Sequence, residues 1–294
     1  MKNGVNKQKE ETGWYQKGEP LLREIAAANP EEGAFLWFLG QLGFVIKINA
    51  LLCYIDVILN ELPGVDGKDL RRYAPPFPPA AAQGVDYFLC THNHADHLNL
   101  RTLFPLAQAN PQTTFIVPMP LRKVLIDGGI EASRILGARE GETLDLAQNL
   151  SLIPVAAAHT DYEQDENGDY TCLGYVFKAG KLQVYHAGDT LVTPRLVETL
   201  KAVGPLSAAI LPINGGDWER TARNIIGNMS IEDAVKLAEA VPVDLVIPAH
   251  YDMMPGNGDN PGRFTAYLYE YYPAQKHHVF ALGEGFHLSA TKNY

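Results

Sequence analysis

Thr91-His92-Asn93-His94-Ala95-Asp96-His97 follows directly on the apolar run Asp86-Tyr87-Phe88-Leu89-Cys90 and sets three imidazoles and one carboxylate within six residues. In a chain of 294 residues with nine histidines, that spacing arises by chance on the order of once in two thousand such chains. His92 and His94, two apart, cannot share a helical face, but they can converge from a loop leaving a strand end. Asp96 and His97 follow at once. Four donors on one loop exceed what a single tetrahedral ion takes, so the spacing points to two neighbouring cations sharing the segment.

Further ligands have to come from other strand ends. His159 follows the run Leu152-Ile153-Pro154-Val155-Ala156-Ala157-Ala158, Asp189 follows Leu182 to His186 through a glycine, and His250 follows Leu245-Val246-Ile247-Pro248-Ala249. Each is a metal-type residue just beyond an expected strand, a coincidence that packing does not readily explain. His186 reads equally as a partner orienting a ligand or as a packed strand-end histidine. Lys68, Arg71 and Arg72, then Arg220 and Arg223 after Asn214-Gly215-Gly216-Asp217-Trp218, are candidates to bind a phosphate or carboxylate of a substrate, Asn214 with them; solvated surface cations are an equal reading. Tyr251 is a candidate oxyanion donor, with a structural phenol as the alternative. His277, His278 and His287 read as surface or core residues, and Tyr267, Tyr269, Tyr271 and Tyr272 as packing or an oligomer contact.

Around these residues the chain alternates in type. Residues 1–18 form a polar lead-in, and a helix through Pro20 to Ala28 stops at Asn29-Pro30. Phe35 to Leu39, Gly43 to Ile48 and Leu51 to Val57 read as a β meander closed by Asp56. Residues 58–84 are rich in Pro and Gly without a period, the signature of a functional or mobile loop. Leu98 to Ala109 predicts a helix with Pro105 as a defect, Thr113 to Val117 a strand, and Leu121 to Ile126 a second helix. Four short strands are expected at Gly141 to Leu146, Leu150 to Val155, Thr171 to Lys178 and Leu182 to His186. Beyond them come a helix from Thr193 to Ala202, a strand at Ala208 to Leu211, a helix from Ser230 to Ala240 with a capping-box start, a strand at Leu245 to Ile247, a helix near Phe264 to Tyr271 and two closing strands. Both halves run from meander to mixed α/β. That order predicts one α/β (α+β) domain over residues 19–294, with two mixed sheets packed face to face and helices outside.

Composition bounds the chemistry. A net charge of -10 with 46% apolar residues disfavours nucleic acid and anionic membranes and makes a small molecule the default partner. Cys53, Cys90 and Cys172 are odd in number and lack a C-x-x-C spacing, so buried reduced thiols are expected. With no apolar leader and no 18-residue apolar run, a cytoplasmic protein is expected, as a homo-oligomer.

The quoted motifs, together with His186-Ala187-Gly188-Asp189-Thr190 and Pro248-Ala249-His250-Tyr251, resemble the metallo-β-lactamase superfamily over roughly residues 20 to 290. Within it the order from the Phe38-Leu39-Gly40 meander entry to the Val246-Ile247-Pro248-Ala249-His250 end is most similar to the L-ascorbate-6-phosphate lactonase group. The resemblance implies a four-layer αββα sandwich with one or two divalent ions, Zn²⁺ or Mn²⁺ with Fe²⁺ as a further option, at one edge. By carry-over His92, His94 and His159 hold one ion, Asp96, His97 and His250 the other, and Asp189 bridges; without His159 a single ion dominates. Asn93 stands where redox-active di-iron members carry a carboxylate, which speaks against oxygen or nitric oxide reduction. Metal-acidified water would then open a lactone or ester, of a sugar or a sugar phosphate, with Asp96 orienting it and protonating the leaving oxygen. A phosphodiesterase or ribonuclease of the same fold, or a metal-binding protein without turnover, are the alternatives.

Overall fold

Side-chain alternation builds two sheets. The computed structural model describes residues 13–289. The first sheet contains β1 (Ala34–Phe38), β2 (Phe44–Ile48), β3 (Leu51–Ile55), β4 (Tyr87–Leu89), β5 (Thr114–Pro118) and β6 (Ile135–Ala138). The second contains β7 (Leu144–Asp145), β8 (Ser151–Ala156), β9 (Leu173–Ala179), β10 (Leu182–His186), β11 (Leu206–Pro212), β12 (Val243–Ala249) and β13 (Lys276–His277). The last strand, β14 (Gly285–Leu288), returns to pair with β1. Among the described residues each sheet has seven strands, ordered β14-β1-β2-β3-β4-β5-β6 and β13-β12-β11-β10-β9-β8-β7.

In β2, Phe44, Ile46 and Ile48 face the space between the sheets while Val45 faces outward. On the opposite sheet Leu173, Tyr175 and Phe177 of β9 and Leu245 and Ile247 of β12 enter the same space. Period-two patterning therefore gives each sheet two buried faces, and the outer ones need covers. Helix α1 (Gly18–Ala27), α2 (Leu100–Ala109) and α3 (Arg122–Asp127) cover the first sheet, packing Leu21, Leu103 and Leu125 on Trp37, Tyr54 and Phe115. The second is covered by α4 (Pro194–Val203), α6 (Ile231–Ala240) and α7 (Pro261–Tyr271), with the short α5 (Trp218–Ala222) in a connecting loop. This is the αββα sandwich that the patterning predicts. The capping box forms as expected, Ser230 Oγ accepting from Asp233 N at 3.0 Å.

Strand direction positions the site. β3 to β6 are mutually parallel, as are β10 to β13. Two antiparallel steps bring β1 into the direction of β3 and β8 into that of β10. The chain leaves all these strands toward a common edge, where the loops collect.

Some elements differ from expectation. β6 was not foreseen, because four residues interrupted by Gly137 carry little pattern, and the strand expected over Gly141 to Leu146 reduces to two residues. The long 58–84 loop is pinned: Ile58 and Leu62 pack with Met253, and Phe77 joins the core under α1. Of the polar lead-in, residues 1–12 lie outside the described residues, as do 290–294 at the other end of the expected domain. Residues 13–17 are anchored, Trp14 donating to Ala74 O at 3.0 Å and Tyr15 N to Leu282 O at 2.8 Å. Tyr267 and Tyr272 pack against the second sheet's cover, whereas Tyr269 and Tyr271 are exposed. All three cysteines are free thiols, Cys53 and Cys90 buried as expected but Cys172 only partly so, and burial raises the pKa of each. Among the described residues no helix is long and apolar enough to cross a membrane.

Candidate metal centre

The loop after β4 turns sharply, with His97 N and Leu98 N both donating to His94 O, and this folds four side chains toward the sheet edge. Two donor groups result. His92, His94, His159 and Asp189 form one, and Asp96, His97 and His250 the other, the ligating atoms of each lying within 4.8 Å of one another. His159 Nε2 stands 3.1 Å from His94 Nδ1 and 3.5 Å from Asp189 Oδ2. Asp189 spans the two groups: Oδ2 is 3.3 Å from His250 Nε2 and 4.0 Å from His92 Nε2, and Oδ1 is 3.5 Å from His97 Nε2. Asp96 Oδ2 lies 3.6 Å from both His97 Nε2 and His250 Nε2. Gly188, at φ 62°, makes this approach possible: a Cβ there would come within 2.9 Å of Thr91 Cβ.

Hydrogen bonds behind the cluster fix which nitrogens face it. Asp56, buried at the end of β3, accepts from Thr91 N at 2.8 Å, from Thr91 Oγ1 at 2.6 Å and from His97 Nδ1 at 2.8 Å. The Thr91 hydroxyl has one proton, and the carboxylate takes it, so the oxygen must accept from His92 Nδ1 at 3.0 Å. Both imidazoles therefore keep a proton on Nδ1 and turn Nε2 toward the cluster, where a metal can take the lone pair once any Nε2 proton has left. His92 Nε2, His97 Nε2 and Asp189 Oδ1 are buried there without a hydrogen-bond partner among the described residues. Buried polar atoms are seldom left so. Three unpartnered polar atoms, one imidazole nitrogen in each donor group and the Asp189 carboxylate between them, with both imidazoles oriented from behind, fit divalent cations.

The charges agree. Burial pushes the His97 imidazolium down, but Asp189, Asp96 and Asp56 outweigh it and raise its pKa to about 10. His250 is raised against burial chiefly by Asp189. Burial would raise Asp189 and Asp96, yet His250 and His97 pull both down, Asp189 strongly. His92 is lowered well below the usual range by burial and by the neighbouring imidazoles. Two carboxylates with two acid-ready imidazoles form a site whose protons a metal can replace.

A cleft of about 420 Å³ opens over both groups, walled by Leu70, Ile225, Ile226, Met254, Pro255, Asn224 and Asn257. The other candidate residues fall outside it. Arg71 is buried and donates from Nη1 to Ile58 O at 2.9 Å and Asn60 O at 2.8 Å, tying down the long loop. Arg72 lies in a separate depression with Tyr73 and Asp252. Lys68 pairs with Asp66 in solvent. Arg220 is held by Asp217 Oδ2 at 2.6 Å and Asn214 O at 2.9 Å. Asn214 is buried between Asn257 and Asn228. The Tyr251 hydroxyl turns to Phe280 O at 3.4 Å. Arg223 alone stays at the rim, exposed beside Gly256. His186 donates from Nε2 to Leu42 O at 2.8 Å and accepts from Gly188 N at 3.4 Å, so it braces the Asp189 turn and has no nitrogen left for an ion.

One residue absent from the sequence reading enters the centre. Gln41, in the β1–β2 turn, places Nε2 2.7 Å from Asp96 Oδ2 and 3.1 Å from His250 Nε2. Nothing local announces it, because its partners lie 55 and 209 positions away. Asp56 was legible only as the end of a strand.

Comparison with known proteins agrees with this geometry. The β-lactamase superfamily domain matches residues 56–251. A UPF0173 metal-dependent hydrolase of Nanoarchaeum equitans is 30% identical over 175 residues, 58% of this chain and 72% of that one. The metallo hydrolase Igni18 from Ignicoccus hospitalis superposes with a TM-score of 0.65 at 20% identity, covering 86% of this chain and 97% of the other. An isothiocyanate hydrolase from Delia radicum gut bacteria gives 0.69 at 19% identity, covering 87% and 100%. With its donor groups at the strand ends where the matched domain lies, the chain belongs to the β-lactamase superfamily domain family and is a metal-dependent hydrolase of the metallo-β-lactamase fold.

Proposed function

We propose that the chain hydrolyses a small, uncharged ester or lactone with an apolar substituent. The observation that carries this reading is the wall of the cleft, which beyond the metal-binding side chains is apolar apart from Asn224 and Asn257 and holds no lysine or arginine among the described residues. Apolar walls with a few convergent polar groups take neutral organic ligands. A sugar phosphate lactone would meet one cation, Arg223 at the rim, and a phosphodiester or nucleic acid lacks the basic groove it needs. The lactone chemistry expected from the sequence is thus kept, and the phosphorylated substrate is the weaker variant.

His92, His94, His159 and Asp189 would hold one ion, and Asp96, His97 and His250 the other with Asp189 between. The imidazole-rich group suits Zn²⁺, and the oxygen-richer one accepts Mn²⁺ or Fe²⁺ as well. When bound, the ions supply a Lewis acid for the carbonyl and lower the pKa of water to about 7. Asp96 is the group that moves the proton. Its carboxylate is lowered by His97 and His250 against burial and stays 19% exposed to the cleft. It arrives ionised, takes a proton from the attacking water and returns it to the leaving oxygen. Leu70 and Ile226, partly exposed on the cleft wall, would pack against the apolar substituent of the substrate.

Turnover of the Zn²⁺- or Mn²⁺-loaded protein on aliphatic lactones, aryl esters, a sugar lactone with and without its phosphate, a phosphodiester and an isothiocyanate tests the proposal. The highest kcat/KM is expected on a neutral ester or lactone, with loss on chelation and a fall of 10²-fold or more in Asp96→Asn, the scale of general acid-base catalysis. Preference for the phosphodiester, or no turnover on any of them, overturns it.

A further inference from the structure

Gln41 is fully buried and sits at φ 58°, a left-handed turn position that only tight anchoring imposes on a residue with a side chain. Its main chain is tied at both ends. N–H donates to Asp252 Oδ1 at 2.9 Å, and the carbonyl accepts from His250 N at 2.6 Å. Asp252 is held in turn by the Tyr73 hydroxyl at 2.6 Å. The 58–84 loop, the β12 end and the β1–β2 turn thus join to aim one carboxamide at the Asp96, His97 and His250 group.

The arrangement satisfies only half of that carboxamide. Nε2 faces Asp96 Oδ2 and His250 Nε2, while Oε1 is buried with no partner among the described residues. The two ends of a carboxamide are nearly isosteric, and turning the terminal torsion by half a revolution exchanges them in place. Turned over, Oε1 would confront Asp96 Oδ2 acceptor to acceptor, an arrangement that a cation between them makes favourable. We propose that Gln41 Oε1 is a further ligand of the ion held by Asp96, His97 and His250, the carboxamide turning over when the ion binds. This rests on the two-group reading of the centre and adds to it. A neutral oxygen raises the coordination number without adding charge, which biases this position toward harder ions such as Mn²⁺ or Fe²⁺ relative to Zn²⁺.

Chelator-competition titration with Mn²⁺ on the full chain, with elemental analysis of stoichiometry, tests the proposal alongside a crystal structure of the Mn²⁺-loaded protein. The wild type is expected to bind two ions. Gln41→Ala keeps the ion of the His92 group and weakens the other at least tenfold, whereas Gln41→Glu, which restores an oxygen, holds it at least as tightly as wild type. The loaded structure shows Oε1 in bonding contact with the ion. Gln41→Ala binding both ions like wild type, Gln41→Glu losing the second ion as Ala does, or Nε2 still facing Asp96 in the loaded crystal overturns the proposal. A wild type that takes up no second ion overturns the two-group reading itself, and the ligand role with it.

Discussion

Asp56→Asn is the sharpest test of how the centre is oriented. Asp56 Oδ1 accepts from the Thr91 main chain, so the amide oxygen of an asparagine must take that place. The amide nitrogen then replaces Oδ2, which accepts two protons, from Thr91 Oγ1 and His97 Nδ1. Donors now face donors. His97 resolves its conflict by accepting at Nδ1, which moves its proton to Nε2 and points it at the ion. The Thr91 hydroxyl resolves the other by accepting from the amide and donating to His92 Nδ1, which reverses His92 in the same way.

A single substitution thus inverts one ligand in each donor group. Partners behind metal ligands are worth roughly 10–100-fold in affinity, so each ion should weaken by about that factor. Two charge-assisted hydrogen bonds at roughly 1.5–3 kcal/mol each put the stability loss at about 3–6 kcal/mol, a fall in Tm on the order of 10 °C for a chain of this size. Thr91→Val separates the arms: it should weaken the His92 ion and spare the His97 ion. Metal titration by chelator competition reads both ions, and ¹⁵N shifts of the imidazoles read the tautomers directly. If Asp56→Asn binds both ions within threefold of wild type, or keeps both histidines protonated at Nδ1, the orienting role is refuted.

Two further outcomes follow from the same atoms. Because His97 has its pKa raised to about 10, the ion it ligates must expel a proton at neutral pH, and its apparent affinity should rise about tenfold per unit between about pH 7 and 9; pH-independent uptake refutes this. In the metal-stripped protein the same shift stabilises fully below the unfolded value near 6.5 and is lost as pH climbs through about 10, so its Tm should fall across that window. At the cleft, a Cβ on Gly227 would lie 2.2 Å from Gly216 N, so Gly227→Ala pushes out the neighbouring Asn224 to Ile226 wall. A several-fold rise in KM for a neutral ester with unchanged metal content is expected, and an unchanged KM counts against that wall.

What the sequence disclosed tracks how local the cause is. Apolar, β-rich runs mark β1 to β5 and β8 to β12 because strands buried on both faces are written in adjacent residues, and the seven donor residues stand beyond β4, β8, β10 and β12. The substrate candidates were illegible for a physical reason. A guanidinium's fate depends on which carbonyl or carboxylate it meets, and for Arg71 these are the main-chain oxygens of Ile58 and Asn60, for Arg220 Asn214 O and Asp217. Main-chain acceptors leave no trace in residue identity. Gln41 was hidden by the opposite effect, a residue with no chemistry of its own brought against two ligands by a turn.

The centre also explains why the edge of the sandwich coheres. Asp56 and the His92 to His97 loop come from the first sheet, and His159, Asp189 and His250 from the second, so the contact between sheets, apolar through most of its depth, ends in ionisable groups. Three carboxylates, Asp56, Asp96 and Asp189, converge on His97, which lies within 3.6 Å of each. Without a cation they would repel across the seam, and protons on His97 and His250 are what the metal-free chain has to offset them. A divalent ion does the same work with more charge and with directed lone pairs. Metal uptake therefore replaces the protons that offset these carboxylates at this edge, and binding, proton release and local stability are one equilibrium.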